Sequence, residues 1–476
     1  MRELKQKMIR LGMLSMLLLC ACVPTPEEEY VINRRDNTFE EEVFATPDST
    51  AAQDSALSTA GQYEVPSHWS EELFTKYLKI KIDADIVLPK MEKFPVYRIQ
   101  AGEIDESTKK TVLLEILPGI YEYADTAEAT AEEWKDALAC ATRGTEKTAK
   151  DGSVQYVPWE FQDYWINNCF EEYKQAKPAA EMFRSAEDVS LTELQEDYVR
   201  VHYGENKTGA FGFEKTTIYA QSFGYRSIVQ PESFGLYELW DTDETKIIEL
   251  SPKLSEKEAI RAAEDLLVKL HIDGVSLQKI EKGRVFSDME LRQLSCGYYL
   301  TYTRTFGYPV ILVDRPVVPN GALQFDDSSE YRKAWRKEDI FVYVDEEGVR
   351  YFEWLNPVEN QGCIQESVKL LPFSEMQKAI RKTLRASMAN YDGLVFEGYV
   401  LKEMTLTGYA QTLRDGKGYV YSPAWYLLFD VYHLNDAAEM DFKQQYPDQH
   451  QMSLMFNAVD GSLIQMLSAE DEEMEQ

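Results

Sequence analysis

Metal binding, nucleophilic attack and acid–base work each demand particular side chains at particular spacings, and few of those spacings occur in this chain of 476 residues. The histidines, His68, His202, His271, His433 and His450, do not pair at zinc-ligand distances in sequence. His433 is followed by Asp436, Glu439 and Asp441, which read as a solvated acidic loop. Asp241-Thr242-Asp243-Glu244-Thr245 begins like a calcium loop. Its sixth position needs glycine and holds Lys246, and its twelfth needs a bidentate glutamate and holds Pro252. Ala220-Gln221-Ser222-Phe223-Gly224 echoes a G-x-S-x-G turn, which requires a helix after the serine. The following Tyr225-Arg226-Ser227-Ile228-Val229 reads as strand instead, so Ser222 is not expected to be a nucleophile. Pairs of acids could cleave a glycoside. With 82 Asp and Glu residues such pairs arise by chance, and they point nowhere. No glycine-rich phosphate loop occurs. The expectation is a protein that is not an enzyme, with no catalytic, cofactor or metal residue.

One thiol does stand out by position. Arg2, Lys5, Lys7 and Arg10 precede an apolar run from Leu11 to Leu19. A run of about nine residues fits a secretory signal and is too short for a bilayer span of ~20. It ends in Leu19-Cys20-Ala21-Cys22, which resembles the lipobox of bacterial lipoproteins: leucine, a small residue, then the cysteine. Cys20 would instead place Leu19 before the cysteine, where that family uses Gly, Ala or Ser. The resemblance implies that residues 1–21 are a removed signal peptide and that Cys22 carries the lipid. It also implies anchoring on the extracytoplasmic face of the bacterial cell membrane. No later segment reaches 18 apolar residues, so a single membrane attachment and no pore are expected. Cys140, Cys169, Cys296 and Cys363 permit two disulfides outside the cytoplasm, and equally buried free thiols.

The formal net charge is −32, and removal of the basic signal leaves the rest more acidic still. Such a surface repels nucleic acid and anionic headgroups, so the body should stand off the membrane that the lipid holds.

The elements that must present any site read as α+β. Residues 22–66 are rich in Pro, Ser, Thr, Ala and acid, and predict a disordered tether reaching roughly 35–40 Å by random-coil scaling. An N-terminal α+β domain is expected over 67–245. Within it Tyr77 to Ile86 alternates with period two, as a half-buried strand does, and Phe94 to Ile99 reads as a second strand. Helices are expected at 127–142, on Trp134, Ala137, Leu138 and Ala141, and at 161–173, packing Trp165, Cys169 and Phe170. Glycine-punctuated strands fill 196–239.

The second half repeats itself. Ser255 and Ser374 each open a helix, with Ile260, Ala263, Leu266 and Leu267 on one stripe and Ile380 and Leu384 on the other. Each helix leads to aromatic strands and then to a strand turning at Glu347-Gly348 or Asp460-Gly461, where acid–Gly supplies the positive φ of a tight turn. Tyr298, Tyr302, Trp425 and Phe429 are expected in the core. A helix followed by strands ending in Asn457-Ala458-Val459-Asp460-Gly461-Ser462-Leu463-Ile464 resembles PepSY-type modules of protease propeptides and bacterial envelope proteins. Two such modules, 246–366 and 367–476 with an acidic tail, would form antiparallel sheets with packed helices. The layout is similar to uncharacterised clostridial lipoproteins and to accessory proteins that restrain sensor kinases. That resemblance implies a non-catalytic lipoprotein that binds or regulates another envelope protein. A glycan- or peptide-binding lipoprotein is the alternative, and a hydrolase of unrecognised type stands third.

Overall fold

The computed structural model describes residue 39 and residues 63–465, apart from 75–77, 127, 149–153, 159–161, 188, 195–197, 206, 224–226, 232–250, 288–291, 310–331, 334–337, 390–395, 414–417 and 435–450. Three strands come first: β1 (His68–Phe74), β2 (Leu78–Val87) and β3 (Val96–Ala101). Helix α1 (Glu106–Ile116) and β4 (Ile120–Ala124) follow. An excursion then holds α2 (Ala131–Arg143), the hairpin β5 (Thr145–Thr148) and β6 (Val154–Val157), α3 (Gln162–Gln175), the single turn α4 (Ala179–Met182) and β7 (Arg184–Ser185). Strands β8 (Val199–Tyr203), β9 (Lys207–Glu214), β10 (Thr217–Gln221) and β11 (Ser227–Pro231) complete the first half. Next come α5 (Glu256–Lys269), β12 (Val275–Ser287), β13 (Arg292–Arg304), β14 (Arg332–Lys333), β15 (Asp339–Asp345), β16 (Gly348–Leu355) and β17 (Val358–Gln365). Helix α6 (Phe373–Ala389) leads to β18 (Phe396–Thr412), β19 (Tyr419–Leu434), β20 (Gln451–Asn457) and β21 (Leu463–Gln465).

These elements make an α+β fold dominated by two large sheets. The ten-stranded sheet is antiparallel throughout, in the order β11-β12-β13-β15-β16-β10-β9-β8-β4-β7. The nine-stranded sheet runs β1-β2-β18-β19-β20-β21-β14, with β3 joined to β19 and β17 to β3. Its β2–β18 and β14–β21 pairs are parallel. Neither sheet respects the boundaries expected at 245 and 366. Strands β2 and β3 pair with the last third of the chain, and β10 pairs with β16. The reason is local. β2 buries Leu78, Ile80, Ile82 and Ala84 on one face, and these need the apolar partners that β18 and α6 supply.

Local signals explain most elements. Ser255 caps α5 with a complete capping box to Glu258, worth ~1 kcal/mol. Asp105 caps α1 by accepting from the Thr108 amide at 2.7 Å, a helix the apolar pattern did not announce. Helix α6 begins at Phe373, so Ser374 lies within its first turn rather than capping it. Its stripe, Met376, Ile380, Leu384 and Met388, shares a core with Ile80, Leu401, Trp425, Leu427 and Phe429. Helices α1 and α5 lie on one face of the ten-stranded sheet. There Val112, Ile116, Ala263 and Leu266 meet Leu300, Tyr302, Ile340, Val342 and Phe352. Each such side chain, fully buried, contributes roughly 1.5–3 kcal/mol of transfer free energy. Tyr302, Trp425 and Phe429 are buried, and Tyr298 packs, partly exposed, against the core that holds Tyr302. Gly348 and Gly461 both have positive φ, 108° and 75°, at the two acid–Gly turns.

Two expectations need revision. The segment 22–66 is not a solvated coil throughout: Phe39 is fully buried in the core under the nine-stranded sheet, and the Tyr63 hydroxyl donates to the Leu371 carbonyl at 2.7 Å. Burial of a ring of this size is worth roughly 1.5–3 kcal/mol, which is reason enough for Phe39 to leave water. Phe170 does not pack inward with Cys169. It is 44% exposed, with the Lys174 ammonium 4.3 Å over its ring. Of the two alternatives left open for the cysteines, Cys140, Cys169, Cys296 and Cys363 take the one without disulfides, and of the four Cys169 is buried while Cys363 is exposed.

Candidate functional site

The residues singled out in the sequence are dispersed. Cys22, the Asp241–Thr245 acidic run, His450 and the acids after His433 lie outside the described residues. His68 bridges Asp85 at 3.0 Å and Asp83 at 3.1 Å on the exposed β1–β2 edge, and those carboxylates raise its pKa. His202 bonds Glu122 at 3.0 Å and stacks on Phe183 at 4.0 Å. Ser222 is held by Arg350, whose Nε donates to the hydroxyl and whose Nη2 donates to the backbone carbonyl at 3.0 Å. A hydroxyl accepting from a guanidinium, with no histidine bonded to it among the described residues, is not an activated nucleophile. No group of three or more His, Cys, Asp or Glu among the described residues could hold a metal ion. No described helix is long and apolar enough to cross a membrane.

The sheet face opposite α1 and α5 carries a different set. In the strand register, Glu353 of β16 lies directly between Phe341 of β15 and Tyr219 of β10. The neighbouring row runs Tyr299, Tyr343 and Tyr351 across β13, β15 and β16. Residues opposite one another share a face, and a period of two returns to it, so these rings and Glu353 point away from the helices. Tyr219, Tyr299, Phe341, Tyr351 and Glu353 each keep part of their surface, while Tyr343 is fully buried. Gly283 leaves room for the Tyr343 ring, since a Cβ there would meet its Cδ2 and Cε2 at 2.9 Å. Phe223 sets its ring edge-on to Tyr343 at 5.9 Å and lies 4.6 Å beneath the Arg350 guanidinium. At the rim, Ser295 donates to Asp345 at 2.5 Å, and Asp345 sits 3.5 Å from Arg350.

Glu353 is the unusual group here. The Tyr351 hydroxyl donates to its Oε2 at 2.7 Å. Burial among the rings pushes its pKa up, Tyr351 lowers it, and nearby Asp339 raises it further. The same crowding raises the phenols of Tyr343 and Tyr351. The arrangement can bind. Ring faces offer stacking area and negative quadrupoles, and a partly desolvated carboxylate offers a strong acceptor. None of these residues was singled out in the sequence. Ile340 to Tyr343 and Tyr351 to Trp354 are apolar or aromatic on both faces, so alternation does not mark an outer side. The signal available was the one acid, Glu353, inside the aromatic run Tyr351-Phe352-Glu353-Trp354.

No protein-family model matches the chain, and no curated protein matches it. Among solved structures it is similar to an uncharacterized protein from Eubacterium rectale, at 12% identity and a TM-score of 0.39 over 86% of this chain and 96% of that one.

Proposed function

We propose that this chain is a non-catalytic, lipid-anchored extracytoplasmic protein that binds or restrains another protein of the bacterial envelope through the aromatic–acidic face of its ten-stranded sheet. The observation that carries this reading is the row of partly exposed rings around Glu353 on the face away from α1 and α5. Aromatic side chains of this kind dominate the buried centres of protein interfaces. The lipobox-like Leu19-Cys20-Ala21-Cys22 supports the anchor on Cys22. The PepSY-like reading of 246–366 and 367–476 draws support from element order: α5 precedes β12, β13, β15 and β16, and α6 precedes β18, β19, β20 and β21. The guanidinium clamp on Ser222 weighs against the hydrolase alternative. The test is chemical cross-linking of the full-length protein in intact cells of its host, followed by mass spectrometry. One dominant envelope protein, linked through the sheet, is the expected result. Recovery of cell-wall glycan alone would favour the glycan-binding alternative and overturn this reading.

A further inference from the structure

We propose that Glu353, with the rings of Tyr219, Phe341 and Tyr351, forms a receptor for a single lysine or arginine side chain presented by a partner polypeptide. The inference rests on the functional reading above and specifies the chemistry of the partner.

Position comes first. Phe341 and Tyr219 flank Glu353 on the two adjacent strands, and Tyr351 is the next residue on the same face of its own strand. The Tyr351 hydroxyl fixes one carboxylate oxygen at 2.7 Å. Aromatic rings on three sides of an acid are the surroundings in which a cation is attracted by both the charge and the ring faces. Charge comes second. Glu353 makes no ion pair among the described residues, and Asp339, the other acid acting on it, has the same sign. The nearest lysine along the same register row, Lys279 of β12, is already paired with Glu281. A buried carboxylate without a cation is costly, and an incoming ammonium or guanidinium relieves that cost.

Competing occupants fit less well. A sugar could stack on the rings and donate hydroxyls to the carboxylate, but it brings no positive charge to neutralise it. A metal ion would need more than one ligand, and no cluster of three is described. An acidic or nucleic-acid partner meets a chain of net charge −32. The site also predicts a pH signature. The groups facing Glu353 are Asp339 and Phe341 from β15, Tyr219 from β10 and Tyr351 from β16, and of these only the carboxyls titrate in acid. Because the Glu353 pKa is raised, cation binding should strengthen as pH climbs through that value and the proton leaves.

The experiment titrates short labelled peptides onto the full chain in detergent, read by fluorescence anisotropy. The peptides share one neutral frame and differ only in a central Lys, Arg, Gln or Glu. The Lys and Arg peptides should bind, and the Gln and Glu peptides should not. Glu353→Gln, which keeps the Tyr351 hydrogen bond, should weaken the Lys peptide about tenfold, the loss expected when a charge-assisted contact is removed. Phe341→Leu should weaken it several-fold, and Lys279→Ala should leave it unchanged. Equal binding of the Glu peptide, or full binding by Glu353→Gln, overturns the inference. If this face captures an envelope protein in cells while the peptides do not discriminate, the receptor falls and the functional reading stands. Failure of both removes both.

Discussion

Glu353 is held by two opposing effects, desolvation by the surrounding rings and a hydrogen bond from Tyr351, and desolvation is the larger. Its folded pKa lies above the unfolded value, so the folded chain binds the extra proton between the two. Stability therefore falls as pH rises through that window, and the penalty is complete above it. Glu353→Gln should raise the melting temperature at about pH 7, by roughly 1 °C for each kcal/mol relieved in a body of this size, and leave it unchanged at about pH 4. A lower melting temperature at neutral pH would mean that the carboxylate has a stabilising partner. The Arg304–Glu338 pair stabilises by contact. Both side chains are nearly fully buried, 2.5 Å and 3.1 Å apart at their two contacts, and Trp354 donates to Glu338 at 2.9 Å. Glu338→Ala leaves the buried guanidinium, among the described residues, only the Asp273 carbonyl at 2.6 Å and the exposed Asp273 carboxylate at 3.6 Å as polar partners, and should cost ~3–5 kcal/mol, read as a fall in the urea midpoint. A loss under ~1 kcal/mol would mean that water reaches Arg304. Neither group was legible in the sequence. Arg304 and Glu338 are 34 residues apart, and only the fold brings them together.

Strands and helices were legible where one side of an element was plainly wet. β2 alternates lysine and aspartate with buried Ile and Ala, and α5 carries acids at its cap and a clean apolar stripe. Legibility failed where both sides were apolar or the pattern was weak. Helix α1 has Val112, Leu113 and Ile116 inward but exposes Leu114, 58% open, so its stripe is blurred. β13 carries rings on both faces, Tyr302 for the core and Tyr299 for the candidate site, and β15 backs Phe341 and Tyr343 with the apolar Ile340, Val342 and Val344. Close approach of these two strands depends on a residue without a side chain. A Cβ on Gly297 would lie 2.0 Å from the Val344 carbonyl oxygen and 3.0 Å from the Asp345 Cα, both backbone atoms that cannot swing aside. Gly297→Ala should therefore cost about 1–3 kcal/mol and loosen the Ser295–Asp345 rim. Hydrogen exchange at the Tyr298–Thr303 amides would report it, and unchanged protection there would contradict the packing described.

Across the whole molecule, the two sheets stitch together segments that composition would separate. β1, β2 and β3 belong to the sheet of β18 and β19, while Tyr308 ties the two halves by donating to the Pro95 carbonyl at 2.7 Å. Phe306 stacks on Tyr97 at 4.7 Å beside the same junction. Residues 67–245 expressed alone should lack cooperative unfolding, because β2 would lose β18 and β10 would lose β16. A sharp, reversible transition for that fragment would show that the sheets assemble independently. Long-range pairing of this kind leaves no mark on local periodicity, which is why the fold class was readable and the sheet order was not. The central claim is that the face around Glu353 is where another envelope protein docks. The most direct measurement places a photo-cross-linking phenylalanine at position 341, on that face, and in a second strain at position 268, which is 72% exposed on α5 on the helix side. A single defined protein linked from 341 and not from 268 is the predicted result. Equal linkage from both positions, or none from 341, would contradict it.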